Sequence, residues 1–353
     1  MKLYWIIIFV GIVIQLFPSR CAKINQFKLF ASFFLLFIYA ALRSNGFDYI
    51  PYEDAYYEIQ NFYGHIGFES RMEKGYVLLN YILPSHRLLL VLLSGFTCFT
   101  YYWLFRKYVP LRFYWLGFIL LALSSDKMFL FQISGLRNAI AINIMTLSIP
   151  FIIKRNIKTY LGLTVLAYFF HNSVIFFMPL AYFVATPSNI TTKYLLIWAS
   201  FFAFFILVPS HLLIDYVSSF INIYFERYLD YTQLAEENVY DRSILMYIFV
   251  LIVLTISFRM LSNSKLSPEE NVLVKLTLLY FISLVLGTLN LRMSQYFAPY
   301  LIVSCFVYLK HIPNPFLKYT YLGIVCLFLW YSFFIVYMGY PETASYNYKT
   351  IFE

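Results

Sequence analysis

Charge is the scarcest feature of this sequence: Asp, Glu, Lys and Arg make up only 12% of its 353 residues, against roughly a quarter in soluble domains. A chain so poor in charge cannot clothe a water-facing surface, which excludes a soluble globular enzyme. The acids are rarest, 17 against 26 Lys and Arg, and the net charge is +9. In a soluble protein that balance would suggest nucleic acid. Here the basic residues stand in short clusters between apolar runs, where they orient a membrane protein, so no nucleic-acid partner is expected. Cysteine is also sparse. Cys21, Cys98, Cys305 and Cys326 lie far apart, with no CxxC pair and no His at ligand spacing, so they read as structural residues and no metal or cofactor is expected. A Walker A loop, a Gly-rich dinucleotide turn and a DxD motif are missing as well, and every stretch assigned to the cytoplasm is short. Any chemistry must use a substrate that the membrane already carries.

What the sequence has in abundance is apolar surface. Hydrophobic residues reach 61%, with 39 Phe and 34 Tyr, a composition that suits rings in lipid, in a bundle core and at both interfaces. Apolar runs fall near 3–18, 29–42, 86–105, 113–125, 138–153, 159–170, 174–184, 194–208, 243–261, 271–289, 298–309 and 319–340. The expected fold is therefore an all-α, polytopic transmembrane bundle of about twelve spans forming a single membrane-embedded domain over residues 1–353. Residues 1–18 imitate a signal peptide but lack a small-x-small cleavage site, so they are expected to stay as a span. Several runs are shorter than the ~20 residues of a full crossing. The runs 159–170 and 174–184 read either as a pair of short helices meeting at His171-Asn172-Ser173 or as one long broken helix. Polar backbone at such a break must face protein or a water-filled cavity.

Alternating the loops sorts the charges. One side collects Arg20, Lys23, Lys28, Arg106, Lys107, Arg112, Lys154, Arg155, Lys158, Lys193, Arg259, Lys265, Lys275, Lys310 and Lys318, with only Glu269 and Glu270 as acids. The positive-inside rule makes this side cytoplasmic and puts both termini outside. The remaining acids, Asp48, Glu53, Asp54, Glu58, Glu73 and Asp126 among them, lie outside, mostly in two longer loops, 43–75 and 209–242.

Four constellations stand on that acid-rich side. Asp48, Tyr52, Asp54, Tyr56 and Tyr57 alternate carboxylates with rings and lead to Glu73-Lys74-Gly75-Tyr76. Aromatic faces stack on sugar rings and carboxylates accept from hydroxyls, so the loop reads as a glycan surface or as an interfacial aromatic belt. Gly135-Leu136-Arg137-Asn138-Ala139-Ile140-Ala141 opens a span with a cation at the helix end where free N–H groups favour anions. His171, with Ser173, sits where the helix breaks, as a proton acceptor or as a structural hydrogen-bonding residue. Arg292, followed by Tyr296-Phe297, supplies a second fixed cation. Ionisable residues this close to hydrocarbon usually face a shared interior site.

At these residues the chain resembles the EpsG family of bacterial exopolysaccharide polymerases, related in role to the Wzy O-antigen polymerases. The outer loop ending in Glu73-Lys74-Gly75-Tyr76, the Gly135-x-Arg137-x-x-x-Ala141 helix start, the His171-x-Ser173 break and the late Arg292 with Tyr296-Phe297 follow one another in the family's order. Lys74 stands where the family tends to have Pro, and Asn138 where Gln is common. The resemblance implies a metal-independent glycosyltransferase of the bacterial cytoplasmic membrane, working on its outer face. Donor and acceptor would be glycan repeat units linked to undecaprenyl diphosphate, and a chain-length regulator protein is an implied partner. In that scheme Arg137 and Arg292 bind the donor diphosphate, His171 or Glu73 deprotonates the acceptor hydroxyl, and Asp48, Tyr52, Asp54, Tyr56, Tyr76, Ser173 and Tyr296 contact substrate. A lipid-linked oligosaccharide flippase and an O-antigen ligase remain as alternatives. No repeat of one half of the chain in the other supports the flippase.

Overall fold

The computed structural model describes residues 2–17, 19–46, 48–65, 70, 72–124, 128–189, parts of 249–261, 266–285, 291–339 and 349. All regular elements among these residues are helices. In chain order they are α1 (Lys2–Leu16), α2 (Ala22–Ala41), α3 (Tyr49–Phe62), α4 (Lys74–Ile82), α5 (His86–Tyr108), α6 (Tyr114–Leu123), α7 (Phe129–Ser134), α8 (Leu136–Leu147), α9 (Ile149–Ile153), α10 (Ile157–Tyr168), α11 (Val174–Val184), α12 (Pro268–Val285), α13 (Leu291–His311) and α14 (Pro315–Gly339). Three stretches among the described residues, Ala22–Ala41, His86–Tyr108 and Leu136–Ile153, are long and apolar enough to cross a membrane. The expected count of about twelve spans draws also on the run 194–208 and most of 243–261, which lie outside the described residues, as does the expected outer loop 209–242.

The chain divides into two compact units, residues 1–180 with 321–353, and residues 181–320. In the first unit α1 shows what its solvent is. Tyr4 and Ile8, one turn apart, are buried, whereas Ile6, Phe9, Leu16 and Phe17 are exposed. A helix apolar on its exposed side as well suits a hydrocarbon surrounding. α2 repeats the arrangement, burying Leu29, Phe33, Leu36 and Ala40 at helical spacing and exposing Phe27, Phe30 and Phe34. Phe33 packs its ring on Phe118 of α6 at 4.9 Å and edge-on to Phe105 of α5 at 5.3 Å. The centre of the unit is α8, in which every residue from Leu136 to Thr146 except Arg137 is buried. Polar side chains tie it and its leading helix to α5: Asn143 donates to Thr97 Oγ1 at 2.9 Å, and Gln132 of α7 donates to the Tyr101 hydroxyl at 3.0 Å. Such interhelical bonds are the usual adhesive where no hydrophobic effect drives helices together.

The break at His171 is real, and it is a reversal. Tyr160 of α10 donates its hydroxyl to the Met178 carbonyl of α11 at 2.8 Å. Eighteen residues along one continuous helix would separate those positions by ~27 Å, so α10 and α11 lie side by side. Asn172 and Ser173, which compete for backbone hydrogen bonds, stand in the turn. α10 is ~18 Å long, well short of the ~30 Å hydrocarbon core.

The expected outer loop 43–75 is substantially helical: α3 and the start of α4 fall within it. Along α3, Tyr52, Ala55, Tyr56 and Ile59 form the buried stripe. Tyr56 donates its hydroxyl to the Leu83 carbonyl at 2.8 Å, which fastens α3 to the end of α4.

In the second unit α12 packs along α13, with the Thr277 hydroxyl donating to the Tyr300 carbonyl at 3.1 Å. Lys275 of α12 is fully buried, its ammonium donating to Thr186 O at 2.7 Å, Thr186 Oγ1 at 2.7 Å and Ser188 O at 2.6 Å. These acceptors lie just beyond the C-terminal end of α11, where a cation is favoured.

Candidate active site

Glu73 is the hub of the strongest ionisable cluster in the first unit. It stands immediately before α4, in extended backbone. One carboxylate oxygen, Oε2, accepts from Arg137 Nη1 at 2.6 Å, and the other, Oε1, lies 3.1 Å from His171 Nδ1. Three stretches of chain that are 64 and 98 residues apart in sequence thus meet on one side chain.

Backbone packing explains how Glu73 reaches so far. The Gly75 N–H donates to the Phe169 carbonyl at 2.8 Å. A Cβ on residue 75 would stand 2.7 Å from that oxygen, inside any allowed contact. Gly75 therefore lets the start of α4 press against the α10–α11 reversal, which brings Glu73 beside His171.

The electrostatics follow from the geometry. Burial by itself would raise the Glu73 carboxyl. The hydrogen bond with His171 and the Arg137 charge outweigh it and hold the group at about 2. Glu73 is therefore ionised at neutral pH and only accepts hydrogen bonds, so His171 must carry its proton on Nδ1. In the neutral imidazole, Nε2 is then the basic nitrogen. Arg137 also donates from Nε to the Tyr52 hydroxyl at 3.5 Å, and its guanidinium lies 5.9 Å from the centre of the Tyr52 ring. Burial raises the Tyr52 phenol against the pull of Arg137, so it stays protonated. Tyr76, wholly buried, meets Tyr52 edge to face at 5.6 Å. The Arg137 side chain keeps 22% of its surface exposed while Glu73 keeps 10%, so an incoming anion meets the guanidinium more readily than the carboxylate.

The structure brings Glu73, Arg137, His171, Tyr52 and Tyr76 together, with Ser173 two residues beyond His171 in the same turn. Asp48 and Asp54 stand exposed at the start and middle of α3, and the Tyr56 hydroxyl is committed to Leu83. Arg292 and Tyr296 belong to the second unit, Tyr296 buried in α13 and Arg292 in its first turn with a side chain outside the described residues. Sequence reasoning missed the docking role of Gly75 and three residues at neighbouring helix ends, Arg43, His86 and Arg87. Their signal was available: Arg43 and Arg87 are cations on the side where the charge sorting places the acids.

The arrangement can orient a neutral imidazole for proton abstraction while a guanidinium waits beside it for negative charge. No curated protein and no solved structure matches the chain. Over residues 27–350, nearly its whole length, it matches the EpsG family. The order of the outer loop, the Arg137 helix start and the His171 reversal resembled the same family, and the chain belongs to it: this is a member of the EpsG family, with a polysaccharide polymerase-type role.

Proposed function

We propose that this protein lengthens a bacterial surface polysaccharide by joining repeat units carried on undecaprenyl diphosphate, on the outer face of the cytoplasmic membrane. The observation that carries the reading is the two-sided grip of Glu73 on Arg137 and His171 in a chain of this family.

The growing glycan, on its own lipid diphosphate, is the donor. A hydroxyl of the incoming lipid-linked unit attacks the anomeric carbon of the donor sugar. His171 Nε2 takes the hydroxyl proton as the new C–O bond forms and the bond to the diphosphate oxygen breaks. Undecaprenyl diphosphate leaves with the bonding pair. Arg137, already oriented by Glu73 and Tyr52, stabilises the charge that develops on it, so little reorganisation is needed at the moment of reaction. Glu73 is a positioning residue: held at about 2, it is too weak a base for a hydroxyl, and it fixes the imidazole tautomer instead. The exposed face of α3, with Asp48 at its start and Asp54 and Tyr57 one turn apart, offers carboxylate and ring to the sugars.

The test is the glycan of a strain lacking the gene. A polymerase leaves single repeat units attached, a ligase leaves finished polymer unattached, and a flippase leaves units trapped in the cytoplasm. Single units support the proposal and either other pattern overturns it.

A further inference from the structure

A single cation does not match the substrate chemistry of that proposal. Arg137 is already paired with Glu73 at 2.6 Å, and joining two lipid-linked units places two diphosphates at one site. A second group, two guanidinium side chains around an imidazole, stands at the N-terminal end of α5. His86, the first residue of that 23-residue helix, is 4% exposed, and its Nδ1 lies 3.7 Å from Glu53 Oε1. Its rings of contact are Tyr49 at 5.4 Å and Tyr56 at 5.8 Å. Arg87 donates from Nη1 to the Arg43 carbonyl. Arg43 is 2% exposed, and both guanidinium groups act electrostatically on His86.

Two atoms of this cluster are buried with no hydrogen-bond partner among the described residues: His86 Nε2 and Arg87 Nη2. A guanidinium N–H left unmet in a buried setting is costly, so the arrangement suits a ligand that supplies acceptor oxygens. An anion also meets the positive end of α5 there. His86 can meet it as a neutral imidazole that donates from Nε2.

The position relative to the first cluster is set by α3. Tyr52 touches Arg137, while Tyr49, Glu53 and Tyr56 face His86. Tyr49, Tyr52 and Tyr56, at i, i+3 and i+7, share one face of α3, so the two groups meet the same stretch of that helix. We infer that Arg87, His86 and Arg43 form a second anion site, which holds the diphosphate of the acceptor unit while Arg137 serves the donor. This rests on the polymerase reading for the identity of the ligand and on the unmet donors for the existence of the site.

The experiment is a binding stoichiometry on the full-length protein in neutral-lipid nanodiscs, with radiolabelled inorganic diphosphate. Wild type is expected to bind two equivalents. R87Q should keep one, R137Q the other, and the double variant none. R87K, which keeps the charge but loses the planar fork, should bind at the second site about 10- to 100-fold more weakly and guards against a folding defect in R87Q. One equivalent in wild type, or two in both R87Q and R87K, overturns the inference. Nanodiscs containing phosphatidylglycerol should leave the count at two. Displacement of the Arg87-dependent equivalent by that lipid would make this a headgroup site and overturn its acceptor role. Because the count needs no polymer, it stands apart from the gene-deletion result that judges the polymerase reading.

Discussion

Replacing Glu73 by Gln keeps the shape of the side chain and removes its charge. An amide has one acceptor oxygen, so it can serve either His171 Nδ1–H or Arg137, and its NH2 opposes the other donor. The size of the loss follows from the carboxyl being drawn from an ordinary 4.5 to about 2. At 1.36 kcal/mol per unit that shift corresponds to about 3 kcal/mol of native-state stabilisation, within the range for breaking a buried pair. A depressed carboxyl contributes its full share above pH 4.5 and loses it as pH falls through the folded value. The melting temperature of E73Q in nanodiscs should therefore lie several degrees below wild type at pH 7, and the gap should close between pH 4.5 and about 2. Turnover carries the second readout. With the imidazole no longer held in one tautomer, kcat should drop by about 100-fold, or ~2.7 kcal/mol of barrier, with KM for the acceptor nearly unchanged, and E73D should restore part of it. A gap in melting temperature that is constant with pH, or a kcat equal to wild type, would refute the reasoning.

Other perturbations test separate joints of the structure. G75A drives a Cβ to within 2.7 Å of the Phe169 carbonyl; it should cost about 1–3 kcal/mol and lower turnover, whereas G162A, with open space around it, should be neutral or slightly stabilising, both read by melting in nanodiscs. K275M strands three acceptors in the second unit and should destabilise by roughly 2–4 kcal/mol, seen as faster protease cleavage of the native protein. Y56F removes the tie to Leu83 and should cost about 1 kcal/mol while leaving donor affinity unchanged in a binding assay. R292A should shorten the polymer made in cells at equal membrane levels, as the family resemblance implies.

The parts legible in the sequence were those set by solvent. A chain with few charges and long apolar runs has to be helical in lipid, and His171-Asn172-Ser173 showed as an interruption, readable as a pair of short helices or as one long broken helix until the Tyr160–Met178 bond decided for a reversal. Glu73, Arg137 and His171 were each visible as ionisable groups at span ends. Their meeting was not, because it depends on how deeply α4 sinks toward Phe169, and that depth is set by a missing Cβ on Gly75. α3 was hidden for another reason: its buried stripe of Tyr52, Ala55, Tyr56 and Ile59 has helical spacing, but alternating Tyr and acid residues read as loop. The same alternation could not tell Tyr52, which touches Arg137, from Tyr56, which holds Leu83. Arg43 and Arg87 were passed over because charge sorting weighs sides as a whole, and an exception to it becomes informative only when a fold brings the exceptions together.

The most direct measurement is reconstitution of the purified protein with a lipid-linked repeat unit as the only substrate, wild type beside H171A. The account predicts a ladder of polymer with released undecaprenyl diphosphate for wild type and an unconsumed unit for H171A. A ladder of equal length and rate from H171A contradicts it.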